Sequence, residues 1–367
     1  MKVLIEANAP RVRCRDHGPT VAQVPWARHG VGHTRDFDDH TAWLAVHVSK
    51  SAVVDLMRIA WSTVGAIVAR VSADIDARVD RFAGLKRIGI DEISYKRGHR
   101  YLTVVVDHDS RRLVWAAPGR SDATLDEFFG TLGPERCAEI THVSADGADW
   151  IARAVTKHCP DAVRCADPFH VVAWATDALD RVRGKVMAQA RAQARSEPKR
   201  PRGRPRKDAP ARPGSERVRE LIRARYALWK NPENLTDKQE AKLAWIAKTD
   251  PLLHRSYLLK EGLRTVFVLK GDAGKEALDH WISWARRCQI PEFVELQRRI
   301  VRHRDTIEAS LTHGLSNALI ESTNTKIRVL TRIAYGFHSA EPLIALAMLS
   351  LGGHTPDLPG RKPPTDQ

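Results

Sequence analysis

Three acidic residues, Asp91, Asp146 and Glu321, stand where carboxylates could share divalent metal ions. Asp91 follows Ile88-Gly89-Ile90 in a strand-like run and reads as the end, or near end, of that strand. Asp146 closes His142-Val143-Ser144-Ala145, directly before Gly147 and the start of a helix. If the two strands are neighbours, their carboxylates come within reach of a pair of Mg²⁺ ions roughly 3.5–4 Å apart. Hard oxygen donors, completed by water and phosphate oxygens, are what Mg²⁺ prefers. Such a pair supports phosphoryl transfer, which asks little covalent chemistry of the protein. A single Asp at a strand end is more often a turn former or helix cap, and Asp146 could cap the helix that begins near Asp149. Asp167 closes a further strand and is the rival second ligand, but it lies one strand farther from the centre, so Asp146 is preferred. Glu92 is a weaker rival of Asp91, because neighbours on a strand point to opposite faces.

The third carboxylate comes from far along the chain. From His313 to Leu330 the spacing predicts a helix with Leu315, Leu319, Thr323, Ile327 and Leu330 on one face. Glu321 falls on the other face with Asn317, Asn324, Thr325 and Arg328. A carboxylate among amides and cations suits a metal ligand beside phosphates, with Lys326 and Arg328 as candidate DNA contacts. Taken alone, this segment reads more simply as a surface Glu–Arg neighbourhood.

The elements around these residues have a definite order. Leu85–Tyr95, Tyr101–Asp107 and Arg112–Ala116 read as three antiparallel strands with β-branched and aromatic enrichment. A helix capped by Ser121 follows, then a strand to Asp146, a helix from Ala148 to His158, and a strand to Asp167. The order βββαβαβ is the RNase-H-like arrangement, an α/β sheet with the first strand central. Ahead of it, residues 38–70 read as three short helices, the last capped by Ser62, which suits a helix-turn-helix. Residues 175–310 are mostly helical by period.

Charge points to the partner. The 367 residues carry a formal net charge of +15, with a pI near 9.9. Between Arg181 and Lys230 there are 17 basic residues against four acidic ones. A tract this one-sided calls for a polyanion. Within it, Pro201-Arg202-Gly203-Arg204-Pro205-Arg206-Lys207 cannot be helical and is similar to an AT-hook, whose arginines enter the narrow minor groove of A·T-rich DNA. The five cysteines are odd in number and scattered, so they form no disulfide framework. No apolar run is long enough for a membrane span, and the expected setting is cytoplasmic.

Several longer motifs resemble one family. They are Asp16-His17-Gly18 with Val24-Pro25-Trp26-Ala27-Arg28; Ile88-Gly89-Ile90-Asp91-Glu92; Asp167-Pro168-Phe169-His170-Val171-Val172; Tyr226-Ala227-Leu228-Trp229-Lys230-Asn231-Pro232; and Leu315-Ser316-Asn317 with Ile320-Glu321-Ser322-Thr323-Asn324. In this order they resemble the insertion-sequence transposases of the ISL3 family, from Arg11 to about Gly360. The resemblance implies a DDE enzyme that cleaves and joins the ends of an insertion sequence. Its catalytic metal set would be Asp91, Asp146 and Glu321 with two Mg²⁺ or Mn²⁺ ions, supported by Asp167, His170, Asn317 and Asn324. Its partners would be double-stranded DNA at terminal inverted repeats and target sites, and further copies of itself.

The expected layout is a zinc-ribbon-like remnant at 1–35, a helix-turn-helix at 36–80 and an RNase-H-like core at 84–175 and 311–353. A basic helical insertion at 176–310, with its linker at 198–214, splits that core, and a tail follows at 354–367. Family members open with a Cys-x-x-Cys pair ahead of a Cys-x-x-His pair. Only Cys14 and His17 match, two ligands where a structural zinc site takes four, so zinc is not expected.

Overall fold

The computed structural model describes residues 11–16, 18–21, 24–28, 30–197, 213–356 and 358. His17 and the AT-hook-like residues Arg202, Arg204, Arg206 and Lys207 lie outside these described residues, as does most of the tail.

The described chain opens with a hairpin of β1 (Arg11–Cys14) and β2 (Gly18–Val21), in which Cys14 pairs opposite Gly18. Three helices follow: α1 (Arg35–His47), α2 (Lys50–Met57) and α3 (Trp61–Asp76). Thr34 and Ser49 cap the first two, each accepting from a backbone N–H three residues on. Arg58 ends α2 in the left-handed region at φ 54°, and α3 leaves at 101° to α2, a helix-turn-helix angle. The expected cap at Ser62 is corrected here. The turn closes earlier, with Ala60 extended, so that Trp61 begins α3 and Ser62 lies inside it.

The sheet strands are β3 (Arg87–Lys96), β4 (Arg100–Asp107) and β5 (Arg112–Pro118), then β6 (His142–Ala145) and β7 (Val163–Ala166). They form one sheet in the order β5-β4-β3-β6-β7, with β3–β4–β5 antiparallel and β6–β7 parallel. The fold is thus mixed α/β, with the first strand of the sheet at its centre. The helices between the strands are α4 (Asp122–Leu132), α5 (Pro134–Glu139) and α6 (Asp149–His158). Ser121 caps α4 as the sequence predicts. After β7 the chain is helical: α7 (Pro168–Ser196), α8 (Pro213–Trp229), α9 (Asp237–Thr249), α10 (Pro251–Leu269), α11 (Gly271–Arg287), α12 (Pro291–Arg302) and α13 (Arg304–His313). The last two helices are α14 (Ala318–Ile333) and α15 (Glu341–Leu351). Among the described residues no single helix is long and apolar enough to cross a membrane.

The chain divides into two compact units. The first comprises Met1–Thr141, Trp150–Asp161 and Ala318–Gln367. In it Ile93, Leu102, Val104 and Val106 of one sheet face pack against Ile320 and Ile327 of α14 and Leu343 and Ala347 of α15. A buried side chain of this size contributes about 1.5–3 kcal/mol, so these contacts fix α14 to β3 and β4. A second cluster joins Ala42, Val53, Val64, Ile67 and Val71 of the three-helix segment to Leu346 and Leu349 of α15. Buried Arg28 ties that segment together through Asp38, Asp39 and Asp74, and Arg70 also holds Asp38.

The second unit comprises His142–Asp149 and Ala162–Asn317. Its core is a helical one: Val171, Leu179 and Val186 of α7 meet Leu259 and Leu263 of α10, Trp281 of α11, and Phe293 and Ile300 of α12.

Candidate active site

In the first unit, Asp91 lies on β3 opposite Val104, on the face that packs against α14. Asn324 of α14 is buried and donates its Nδ2 to Asp91 Oδ2 at 2.8 Å. Asp91 Oδ1 accepts from the Glu92 backbone N–H at 2.8 Å. Glu321 precedes Asn324 by three residues on α14, one turn along the same side of the helix, and is half-buried. Asp91 and the turn carrying Glu321 are therefore joined by a side-chain hydrogen bond spanning 233 residues of chain.

Two expectations change here. Asp91 does not end its strand: β3 runs on through Lys96 because Ile93 continues the buried face and pairs with Leu102. Nor do Asn317 and Asn324 share an outward face with Glu321. Both are buried, Asn317 precedes α14, and Asn324 is turned inward onto Asp91. Thr325, Lys326 and Arg328 are exposed, as expected.

Glu92 points away from this site, as strand alternation requires. Its carboxylate accepts from Trp150 Nε1 at 3.1 Å and pairs with Arg120 Nε at 2.8 Å. These partners of Glu92 were not apparent from sequence, since neither residue is adjacent to it in the chain.

In the second unit, Asp146 and Asp167 follow directly on the register pair Ala145–Ala166, at the same end of two parallel strands. Their surroundings differ. Asp146 is half-buried, forms a tight turn by accepting from the Ala148 N–H at 2.9 Å, and makes no ion pair among the described residues. Asp167 is buried and caps α7, accepting from the His170 N–H at 3.3 Å and from the Asn317 N–H at 3.1 Å. His170 Nε2 stands 3.9 Å from the same carboxylate. Gly147, next to Asp146, has Trp174 beside it: a Cβ there would sit 3.1 Å from the indole. Glycine is what allows this turn to lie against the ring.

Four cysteines, Cys137, Cys159, Cys165 and Cys288, are buried. Burial pushes the Cys159 thiol up to about 12 and Cys165 to about 11. Both are protonated at neutral pH, the wrong form for a metal-binding thiolate. Cys14 is only partly buried, at the end of β1.

Residues 88–347, a span that includes Asp91, Asp146, Asp167 and Glu321, match the family model described as transposase, of the DDE type in ISL3 elements. Residues 22–72 match the helix-turn-helix domain of transposase family ISL3. The chain belongs to the ISL3 family of transposases. The transposase is 70% identical over 361 residues to the transposase for insertion sequence element IS1557 of Mycobacterium tuberculosis, in strains CDC 1551 / Oshkosh and ATCC 25618 / H37Rv. That alignment covers 98% of this chain and 81% of the relative. It is 27% identical over 348 residues to the transposase for insertion sequence element IS1001 of Bordetella parapertussis, covering 93% of this chain and 79% of that relative. The transposase is accordingly a DNA-cleaving and strand-transferring enzyme, of a type that uses divalent metal ions. The helix-turn-helix match begins ahead of α1, so it includes Pro25-Trp26-Ala27-Arg28, whose arginine anchors the three-helix segment.

Proposed function

We propose that Asp91, Asp146 and Glu321 are the catalytic set of this transposase and hold two divalent ions, Mg²⁺ or Mn²⁺. The observation that carries the reading is the Asn324–Asp91 hydrogen bond, which fastens the helical turn bearing Glu321 to the strand bearing Asp91. The donor set fits hard divalent cations: three half-buried carboxylates, with the Oδ1 of Asn324 buried and without a hydrogen-bond partner beside Asp91. Bound there, the ions would activate water or a 3′-hydroxyl and stabilise the leaving oxygen.

The protein's part is orientation. Asn324 donates to Asp91, which fixes the rotamer of that carboxylate. The Ala148 N–H does the same for Asp146. Glu321 is held by the packing of α14 through Ile320 and Ile327. The scaffold we assign is an RNase-H-like core of residues 84–175 and 311–353, split by the basic insertion at 176–310. Its DNA partners are the terminal inverted repeats and target DNA, contacted by the helix-turn-helix at 36–80 and by Arg202, Arg204, Arg206 and Lys207 of the linker at 198–214. Lys326 and Arg328 add contacts near Glu321, and copies of the protein assemble on the DNA in the bacterial cytoplasm. Asp167, His170, Asn317 and Asn324 support the site without being its core ligands. Cys14 and His17 supply only half of a zinc site, and the two buried thiols with raised pKa do not complete it.

The test is Mg²⁺-dependent nicking of a duplex carrying the terminal repeat. Asp91→Asn, Asp146→Asn and Glu321→Gln should each lose roughly 10³-fold or more in rate, the scale of removing a central charge-stabilising group. DNA affinity should be retained. A variant that nicks at the wild-type rate removes its residue from the set.

A further inference from the structure

We propose that the cleft between α7 and α12 binds the phosphates of a DNA strand, through Arg298, Arg299 and Arg302, beside the turn that carries Asp146. The inference rests on this protein's being a DNA-joining enzyme, but not on which carboxylates hold the metal.

The two helices present matching polar faces over their shared core. On α12, Phe293, Leu296 and Ile300 are buried, which leaves Glu295, Arg298, Arg299 and Arg302 on the opposite side at helical spacing. On α7, Trp174, Asp177 and Arg181 face them across a cleft of about 620 Å³. Arg181 pairs with Glu295 at 3.2 Å. Among the described residues, Arg298, Arg299 and Arg302 have no carboxylate within ion-pair distance. Asp177 is the remaining acid of the cleft, so three arginines face one unpaired carboxylate.

Arg299 is also fixed in place. Its guanidinium carbon lies 3.7 Å from the centroid of the Trp174 ring, a close cation–π contact. Burial and the neighbouring charge of Arg302 lower its basicity. A cation disfavoured in this way gains from an anion placed beside it, and arginine forks suit phosphate oxygens. The same Trp174 ring lies against Gly147, next to Asp146, and the ring of His303 is 5.5 Å away. Trp174, which lines the basic cleft, therefore also lies against the turn that holds a proposed catalytic aspartate.

The last helix of the helix-turn-helix offers less charge. Arg70 is the only basic residue of α3, and it is committed to Asp38.

The test is binding of the full-length protein to a short random-sequence duplex in EDTA, followed across a salt series. Replacing Arg298, Arg299 and Arg302 together with Ala should flatten the slope of log K against log[salt] by about 0.9 for each phosphate that is no longer neutralised. The triple Lys variant keeps the charges and should retain most of the slope, which separates missing charge from misfolding. An Ala variant with the wild-type slope overturns the proposal, as does a Lys variant as flat as the Ala one. Because EDTA excludes the chemistry, this outcome is independent of the nicking assay. An Asp146→Asn variant that nicks at the wild-type rate would count against the catalytic set and leave the cleft standing.

Discussion

Asp91 and Asp167 each take a hydrogen bond from an asparagine distant in the chain, yet the two asparagines serve them differently. Asn324 gives Asp91 its side-chain amide, while Asn317 gives Asp167 its backbone N–H. Asp167 also takes the His170 N–H at the start of α7, so its two oxygens satisfy backbone donors that would otherwise be stranded. Asp91 instead sits mid-strand, on the face where the helix of Glu321 packs. The difference teaches that a buried aspartate at a strand–helix junction can be consumed by capping. Asp91 is held across the fold by a side chain instead, and its proposed role rests on that position.

That contrast is open to attack by substitution. The largest effect on stability is expected at Asp167. Asp167→Ala removes a helix cap and strands the buried Asn317 N–H, a loss of about 2–4 kcal/mol read by denaturant unfolding. Nicking per folded molecule should fall less than it does for Asp91→Asn. Equal losses of rate in the two variants would erase the distinction. A smaller effect is expected for Asn324→Ala, about 1–2 kcal/mol, together with a higher Mg²⁺ concentration for half-maximal nicking, because Asp91 loses its positioning donor. Unchanged Mg²⁺ dependence would make Asn324 a packing residue only. The smallest is Ser121→Ala, which removes a cap alone: about 1 kcal/mol, with no change in nicking rate or metal dependence.

Much of this was legible in the residues. Strand-period runs and short connections predicted the strand order, and Ser121 at the head of an apolar helix predicted its cap. Alternation along β3 predicted that Asp91 and Glu92 would face opposite ways, and Glu92 is indeed taken up by Trp150 and Arg120. What local pattern does not carry is the partner of a polar residue. Asn324 looked like one amide on a wet face, because period alone does not reveal that β3 would meet that side of α14. The cleft was missed for the same reason. Arg298, Arg299 and Arg302 form a visible basic stripe opposite Phe293, Leu296 and Ile300. Its significance appears only once Trp174 of α7 faces it and lies against Gly147.

The central claim is that Asp146, rather than Asp167, completes the metal set with Asp91 and Glu321. It is tested most directly by comparing Asp146→Asn with Asp167→Asn in Mg²⁺-dependent nicking of a terminal-repeat duplex, with rates normalised to folded protein. Asp146→Asn should be inactive while still binding DNA, and Asp167→Asn should remain active, with its deficit mainly in stability. An inactive Asp167→Asn beside an active Asp146→Asn would contradict the account and move the second ligand one strand outward.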